Sequence, residues 1–462
     1  MKNKILPSSL AAALFGVVSL LPFAACARSE SRFEIDSDFE PVRLHLDVDR
    51  SVLSSGTTEK AIVKVLLDGV RHPGRHARPP VNLALVIDRS GSMGGEKIAR
   101  AREAALTAIR QLSAHDIVAV VAYDSGVQTL VPAQRVGDGR RLEAAIRRIG
   151  ARGNTALFGG VSRGAAEVRR HLGEGGYVNR VILLSDGLAN VGPRTPGELA
   201  RLGRSLQREG IAVTTIGLGL GYNEDLMTRL ALASDGNTYF VEHSRDLPGI
   251  FAAELGDVLS VIAHRVVIEI EFPDWVRPLG FVGREGTIRG RKAGLTLNQL
   301  YGGQEKFALI EVEVAPAEPG VERELARAHV TYEDAVTNRT GSLTARRTVK
   351  FSASRDDIIG SADHQVQADY AVNVIAAAKD AAVDLVDADR RDEAAKVLRE
   401  RTEELRRMSA VYDNSAVGEV AATAPSADRI EQEGLSNAER KVYRTEAAQA
   451  RSQQAPGTYR NP

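Results

Sequence analysis

The chain has 462 residues, enough for about two or three domains, and its 43% hydrophobic content suffices to build their cores. Basic and acidic residues both number 60, so the formal net charge is zero, with no basic field for nucleic acid and no acidic excess for a solvating tail. One cysteine in the whole chain excludes an internal disulfide framework.

Residues 1–27 read as a targeting segment, with the signal peptide over 1–25. Lys2 and Lys4 make a positive start, residues 9–21 are apolar but too short for a comfortable membrane span, and small residues follow. Phe23-Ala24-Ala25-Cys26 resembles a bacterial lipoprotein processing box, with Phe23 standing where an aliphatic residue is usual; the resemblance implies a lipid anchor on Cys26. Ala25-Cys26-Ala27 also fits ordinary cleavage after Ala27, and either route predicts export. The stretch 26–80 combines a tether with short strands. Residues 42–48 alternate, Leu44, Leu46 and Val48 opposing Arg43, His45 and Asp47. Residues 61–67 read as a second strand after a turn at Ser54-Ser55-Gly56. Two strands do not stand alone, so they need partners further along. Residues 71–80 (RHPGRHARPP) form a linker in which His72 and His76 are read as solvated rather than metal-bound.

Residues 81–93 read VNLALVIDRSGSM. A continuous apolar run ending in Asp88 is the pattern of a strand buried on both faces. Beyond Gly94, a helical stripe is marked by Ile98, Ala101, Ala105, Ile109 and Leu112. Asp88, Ser90 and Ser92 therefore sit on the loop leaving the carboxyl end of a buried strand, where open α/β sheets bind ligands. Further strands are expected over 117–123, 181–184, 211–218 and 238–241, alternating with helices over 140–149, 157–171, 198–208 and 224–233. This alternation predicts a doubly wound α/β fold, a parallel-dominated sheet with helices on both faces. Asp116, Asp124 and Asp225 fall near element ends and are read as caps or turn residues.

Alone, Asp88-x-Ser90-x-Ser92 is a weak signal, because Asp and Ser after a strand are also ordinary helix caps. Two further segments add to it: Thr155 in Gly153-Asn154-Thr155-Ala156-Leu157, and Asp186 in Ser185-Asp186-Gly187. Together the three segments resemble, in order and without departure, the metal-ion-dependent adhesion site (MIDAS) of von Willebrand factor type A (VWA) domains, over residues 81–262. The resemblance implies a Rossmann-like fold and a metal held by Asp88, Ser90, Ser92, Thr155 and Asp186. Two carboxylates, three hydroxyls and water make an all-oxygen set that suits Mg²⁺, or Mn²⁺ or Ca²⁺, rather than zinc. Two carboxylates barely neutralise a divalent ion, and in the family a partner protein's Asp or Glu completes the sphere. The function so implied is cation-dependent protein binding, adhesion or scaffolding, in the bacterial envelope.

Residues 263–352 change character. RVVIEIEF at 265–272 and β-rich stretches at 281–282, 295–297, 307–314, 328–332 and 344–351 predict a flanking antiparallel β-sandwich, with the strands near Val42 and Ala61 as candidate members. Residues 353–412 predict a helical hairpin. Its first stripe is Val366, Tyr370, Val374, Ala378, Ala382 and Leu385; its second is Ala394, Val397, Leu398, Leu405 and Met408. Residues 413–462 carry no sustained apolar face and are expected to be a disordered tail or a loose helix.

A strand-end aspartate also suits phosphoryl-transfer hydrolases, which need a second carboxylate two residues on; Ser90 occupies that place. No Gly-rich phosphate cradle, H-E-x-x-H or nucleophile elbow is present. A metal-dependent envelope hydrolase and a subunit docking on an ATPase complex stand as alternatives behind protein binding. No enzymatic activity and no nucleic-acid partner are expected. Exported chains of this type are often labelled calcium-activated chloride channel homologues; no membrane-spanning stretch follows the export signal, and conduction is not expected.

Overall fold

The computed structural model describes residues 40–71 and 78–454. The export segment, Cys26, the tether to residue 39, and His72 and His76 lie outside the described residues.

The chain enters through β1 (Val42–Val48), β2 (Val52–Ser54) and β3 (Glu59–Gly69). The α/β region follows as β4 (Val81–Asp88), α1 (Glu96–Gln111), β5 (Ile117–Tyr123), β6 (Val127–Arg135), α2 (Arg140–Arg147), α3 (Leu157–Arg169), β7 (Val178–Ser185), α4 (Pro196–Arg208), β8 (Ile211–Leu218), α5 (Glu224–Ala233), β9 (Thr238–Val241) and α6 (Leu247–Leu259). Its sheet runs in the order β6-β5-β4-β7-β8-β9, parallel throughout except that β6 pairs antiparallel with β5. Every residue of β4 and of β8 is buried, which is why both read as unbroken apolar runs rather than alternating ones. Leu83, Leu85 and Ile87 of β4 pack towards α1, α2 and α6, whereas Ala84 and Val86 pack towards α3, α4 and α5. On that second face α3 lies close to the sheet: a Cβ at Gly164 would stand 2.4 Å from Val86 Cγ2, so this helical position must be glycine. The doubly wound α/β fold class is therefore the observed one. The strand/helix alternation does not announce β6, a half-polar edge strand, or α6, which packs against α1.

Seven more strands follow: β10 (Val261–Glu271), β11 (Val276–Val282), β12 (Thr287–Arg289), β13 (Lys292–Tyr301), β14 (Glu305–Val314), β15 (Glu322–Asp334) and β16 (Thr340–Ser352). They complete a sandwich of two sheets, β1-β3-β14-β11 and β12-β13-β10-β15-β16-β2. The inner faces meet through residues such as Val63, Val65 and Leu67 on one side and Ile268, Ile270 and Val330 on the other. Strand β3 thus pairs with β14 (Val63 with Ile310) and β2 with β16, and the α/β region is an insertion between β3 and β10. One pairing departs from the antiparallel expectation: β2 lies parallel to β16.

The chain ends in helices: α7 (Arg355–Gly360), α8 (His364–Asp387), α9 (Arg391–Tyr412), α10 (Ser415–Ala422), α11 (Ala427–Glu433) and α12 (Asn437–Ser452). Helices α8 and α9 form the hairpin, and Val366, Tyr370 and Val374 seat α8 on Ile62 and Leu309 of the sandwich. Residues 413–454, expected to be disordered or a loose helix, form three packed helices. Asn414, Ser426 and Ser436 cap α10, α11 and α12, the last with a full capping box to Glu439. Helix α12 buries two cations, Lys441 and Arg444, alongside Ala447 and Ala448. Lys441 donates to Glu224 Oε2 at 2.6 Å and to the Tyr222 carbonyl at 3.0 Å, and Arg444 Nε lies 2.8 Å from Asp225 Oδ1. Charged side chains that look solvated in the sequence are here the contact surface. Among the described residues no helix is long and apolar enough to cross a membrane.

Candidate metal-binding site

Strand β4 ends in the wholly buried Asp88. Its Oδ1 accepts the Ser90 backbone N–H at 2.8 Å and its Oδ2 accepts the Ser185 hydroxyl at 2.7 Å. The next turn, Gly91–Met93, is 3₁₀, and the buried Met93 anchors it to the core. Two backbone hydrogen bonds stitch this loop to the one before α3: Arg152 N–H to the Arg89 carbonyl at 2.6 Å, and Gly91 N–H to the Gly153 carbonyl at 2.9 Å. Gly153 has φ +71°, and a Cβ there would stand 2.9 Å from Ser125 Oγ, so the close approach of the loops depends on glycine. Asp124 locks the same junction by accepting from Arg89 Nε at 2.8 Å and Arg152 Nε at 2.9 Å.

These contacts bring all five predicted residues together. Ser90 Oγ and Ser92 Oγ are 3.1 Å apart, and Ser92 donates to Asp186 Oδ1 at 2.7 Å. The other Asp186 oxygen accepts from Lys97 Nζ at 2.5 Å. Beside Asp186, the Cβ position of Gly187 lies 3.0 Å from Thr155 Oγ1, 3.4 Å from Ser92 Oγ and 3.8 Å from Ser90 Oγ. Three hydroxyls from two loops thus face one point next to two carboxylates, and a side chain at 187 would fill it. The donor set is all oxygen and fits a hard divalent cation of the Mg²⁺ class. Among the described residues no group of three or more His, Cys, Asp and Glu could hold a metal.

Burial pushes the Asp88 carboxyl above the usual carboxylate range, opposed by the hydrogen bonds from Ser185 and Ser90 and reinforced by the charge of Asp186. Two carboxylates crowded at the ends of two neighbouring buried strands favour a bound cation for the same reason.

Three contributors escape the sequence. Lys97 pairs with Asp186, Ser185 orients Asp88, and Asn190 Oδ1 accepts the Thr155 N–H at 2.8 Å, fixing the threonine loop. Ser185 and Asn190 lie within four residues of Asp186, so inspection of that loop for hydrogen-bonding side chains is the one signal that finds them. Asp116 and Asp225 are engaged elsewhere, and Asp124 braces the junction of the site's loops. Asp116 accepts from Val81 N–H and Ser113 N–H, Asp124 from Gly126 N–H, and Asp225 meets Arg444.

A family model for the von Willebrand factor type A domain matches residues 82–253. The chain contains a von Willebrand factor type A domain. The chain is also similar to an uncharacterized protein of Synechocystis sp., 26% identical over 277 residues, or 58% of this chain and 65% of that protein. An uncharacterized protein of Escherichia coli K12 is 28% identical over 210 residues, 45% of this chain and 36% of its own length. The chain therefore spans less than two thirds of the length of either relative. Among solved structures, a von Willebrand factor type A protein from Catenulispora acidiphila shares the fold at a TM-score of 0.62 and 19% identity, over 80% of this chain and 89% of that one. That coverage extends beyond the A domain into the regions flanking it.

Proposed function

We propose that the chain is a protein-binding protein of the bacterial envelope, in which the A domain holds a divalent cation, Mg²⁺ foremost, that takes an Asp or Glu carboxylate from a protein partner. The observation that carries this reading is the convergence of the Ser90, Ser92 and Thr155 hydroxyls on one point beside Asp186. When bound, the cation supplies an electrophilic site for an anionic oxygen. The chain's own residues do the rest. Asp88 and Asp186 provide the negative charge, the three hydroxyls set the geometry, and Ser185 and Asn190 hold Asp88 and Thr155 in place.

A binding role is favoured over a catalytic one because both carboxylates here are held by neighbouring groups, Asp88 by the Ser90 N–H and Ser185 and Asp186 by Ser92 and Lys97. The Ser185 hydroxyl donates to Asp88, and among the described residues no histidine hydrogen-bonds to any member of the site. Export and a lipid anchor on Cys26 place the protein in the envelope in this reading; incorporation of radiolabelled palmitate into the wild type but not Cys26→Ser tests the anchor.

Partner binding is tested by capture from envelope extract with the full chain as bait, in Mg²⁺, in EDTA, and with Asp88→Ala in Mg²⁺. A protein retained only by the wild type in Mg²⁺ supports the proposal. Equal capture in all three lanes assigns binding to the sandwich or the helices and removes the metal from the function.

A further inference from the structure

At the opposite end of the A-domain sheet from the metal site, a cavity of about 240 Å³ opens beside the amino-terminal ends of β7 and β8. Its far wall belongs to β10, β13 and β15, so the A domain and the sandwich enclose it together. A β-bulge shapes that wall. Between His264 and Val267, strand β10 carries one residue more than β15, and Arg265 has φ +51°, a left-handed backbone that few non-glycine residues adopt. Successive strand residues normally point to opposite faces. Here both His264 and Arg265 reach Glu333. The imidazole Nδ1 lies 3.3 Å from its Oε2, and Arg265 donates to its two oxygens at 2.8 and 3.1 Å. The other imidazole nitrogen, Nε2, is buried with no hydrogen-bond partner among the described residues. A buried polar atom left unpaired is costly unless a ligand or water completes it. A second left-handed non-glycine residue, Asn338, lines the same cavity. The turn before β7 passes so close that a Cβ at Gly176 would stand 3.0 Å from Asn338 Nδ2.

The lining decides what fits. Its charges are already neutralised within the protein, Glu333 by Arg265 and Glu209 by Arg169 at 2.5 and 2.9 Å. Burial holds His264 below its ordinary value against the pull of Glu333, so its imidazole is neutral at pH 7. A charged occupant would therefore meet no spare counter-charge. The amides contribute the halves that they do not spend on the protein. Asn298 uses Nδ2 on the Ser234 carbonyl, and Gln299 uses Oε1 on Arg180. Asn298 Oδ1 is left as an acceptor and Gln299 Nε2 as a donor, neither with a partner among the described residues. Hydroxyl groups, each donor and acceptor at once, answer such a mixed set. Leu172 and Tyr177 add an apolar wall for the C–H face of a ring. The volume lies below the about 300–1,000 Å³ of drug-sized pockets, which limits the occupant to a molecule of monosaccharide size. We propose that this cavity binds a neutral sugar, whose hydroxyls pair with His264, Asn298, Gln299 and Asn338.

The test titrates the full chain by calorimetry and NMR, in EDTA so that the metal site contributes nothing. The probes are glucose, galactose, mannose and N-acetylglucosamine, with glucuronate and glucosamine as charged counterparts. At least one neutral sugar is expected to bind, to shift the His264 ring-proton resonances, and to bind at least about tenfold more tightly than either charged counterpart. His264→Leu and Asn338→Asp each remove pairing groups from the wall, and Asp tolerates the left-handed backbone much as Asn does. Each should weaken binding about tenfold, the effect of one lost hydrogen bond. Urea unfolding checks that the variants are folded; if His264→Leu is not, Asn338→Asp, on an exposed turn, carries the comparison. No binding by any of the four neutral sugars, preference for a charged counterpart, or full retention by the folded variants overturns the proposal. Methyl glycosides of the bound sugar separate its sources. Their retention assigns the end of a longer saccharide, their exclusion assigns the free sugar, and either supports the site.

Discussion

Lys97 Nζ sits 2.5 Å from Asp186 Oδ2, on the carboxylate whose other oxygen takes the Ser92 hydroxyl at 2.7 Å. An ammonium thus occupies the position beside Asp186 from which a divalent cation would draw its charge. The two cations repel each other by about 1–1.5 kcal/mol at the separations and high effective dielectric of a half-exposed site. Lys97→Met is therefore expected to tighten Mg²⁺ binding about tenfold by titration calorimetry. A weakened affinity would show that Lys97 orients Asp186 rather than competing for it.

Gly187→Ala places a methyl group 3.0 Å from Thr155 Oγ1, where the hydroxyls converge. The substitution touches side-chain hydroxyls rather than the sheet, so the circular dichroism spectrum should be unchanged. Mg²⁺ affinity should fall at least about tenfold, the effect of disturbing one ligand of the set. Equal affinity in the two proteins would move the metal away from Thr155.

At the opposite end of the same strand, β7, Arg180 is wholly buried where the A domain meets the sandwich. It donates to Gln299 Oε1 at 2.8 Å and to the Tyr301 hydroxyl, and its Nε lies 3.6 Å from Glu254 Oε1. Arg180→Met leaves Glu254 buried without its cation, which costs about 3–5 kcal/mol. Urea unfolding should register that loss, and Arg180→Met with Glu254→Gln should recover part of it.

Asp257 lies near this joint on α6, and burial, with the charge of Glu254, pushes its carboxyl up to about 6. The folded protein therefore binds this proton more tightly than the unfolded chain does. The resulting stabilisation is complete below pH ~4 and disappears as the pH rises through ~6, a swing on the order of 2 kcal/mol. Asp257→Asn should match the wild type near pH 4 and exceed it in stability at pH 7. A constant difference across that window would refute the assignment.

Removal of residues 413–462 tests whether α12 supports the A domain. The truncated chain loses the Lys441 contacts to Glu224 and to the Tyr222 carbonyl, and the Gln454 and Gln449 side chains that pair with Thr238 N–H and C=O at the sheet edge. Amide exchange should accelerate across residues 219–241 while β4 and β7 keep their protection.

Four of the five candidate site residues were legible because they sit in short motifs at the carboxyl ends of strongly apolar strands, whereas Thr155 lies in the loop just before α3. Asp88 ends an eight-residue buried strand, and Asp186 directly follows another. Lys97 and Asn190 were not legible, since their roles arise only when separate loops meet. The membership of β1 and β3 in the sandwich followed from their inability to stand alone, but not their order in it, which is set by pairings such as Leu67 with Lys306. Helix α12 was missed because Lys441 and Arg444 are buried through ion pairs with acids on other helices. A periodicity argument counts such residues as solvated.

The turn between β13 and β14 holds both crossings of the chain into the inserted A domain. Gly303 N–H bonds the Gly69 carbonyl at 2.6 Å at the end of β3, and Gly302 N–H bonds the Ser260 carbonyl at 2.8 Å just before β10. A pull on a partner seated beside Asp186 would travel down the A-domain sheet and divide between two backbones gripped at one place. Both β3 and β10 are interior strands of their sheets, so tension would shear two long hydrogen-bonded ladders on each side instead of peeling a hairpin from an edge. The insertion makes the A domain a graft with two roots, suited to resisting traction.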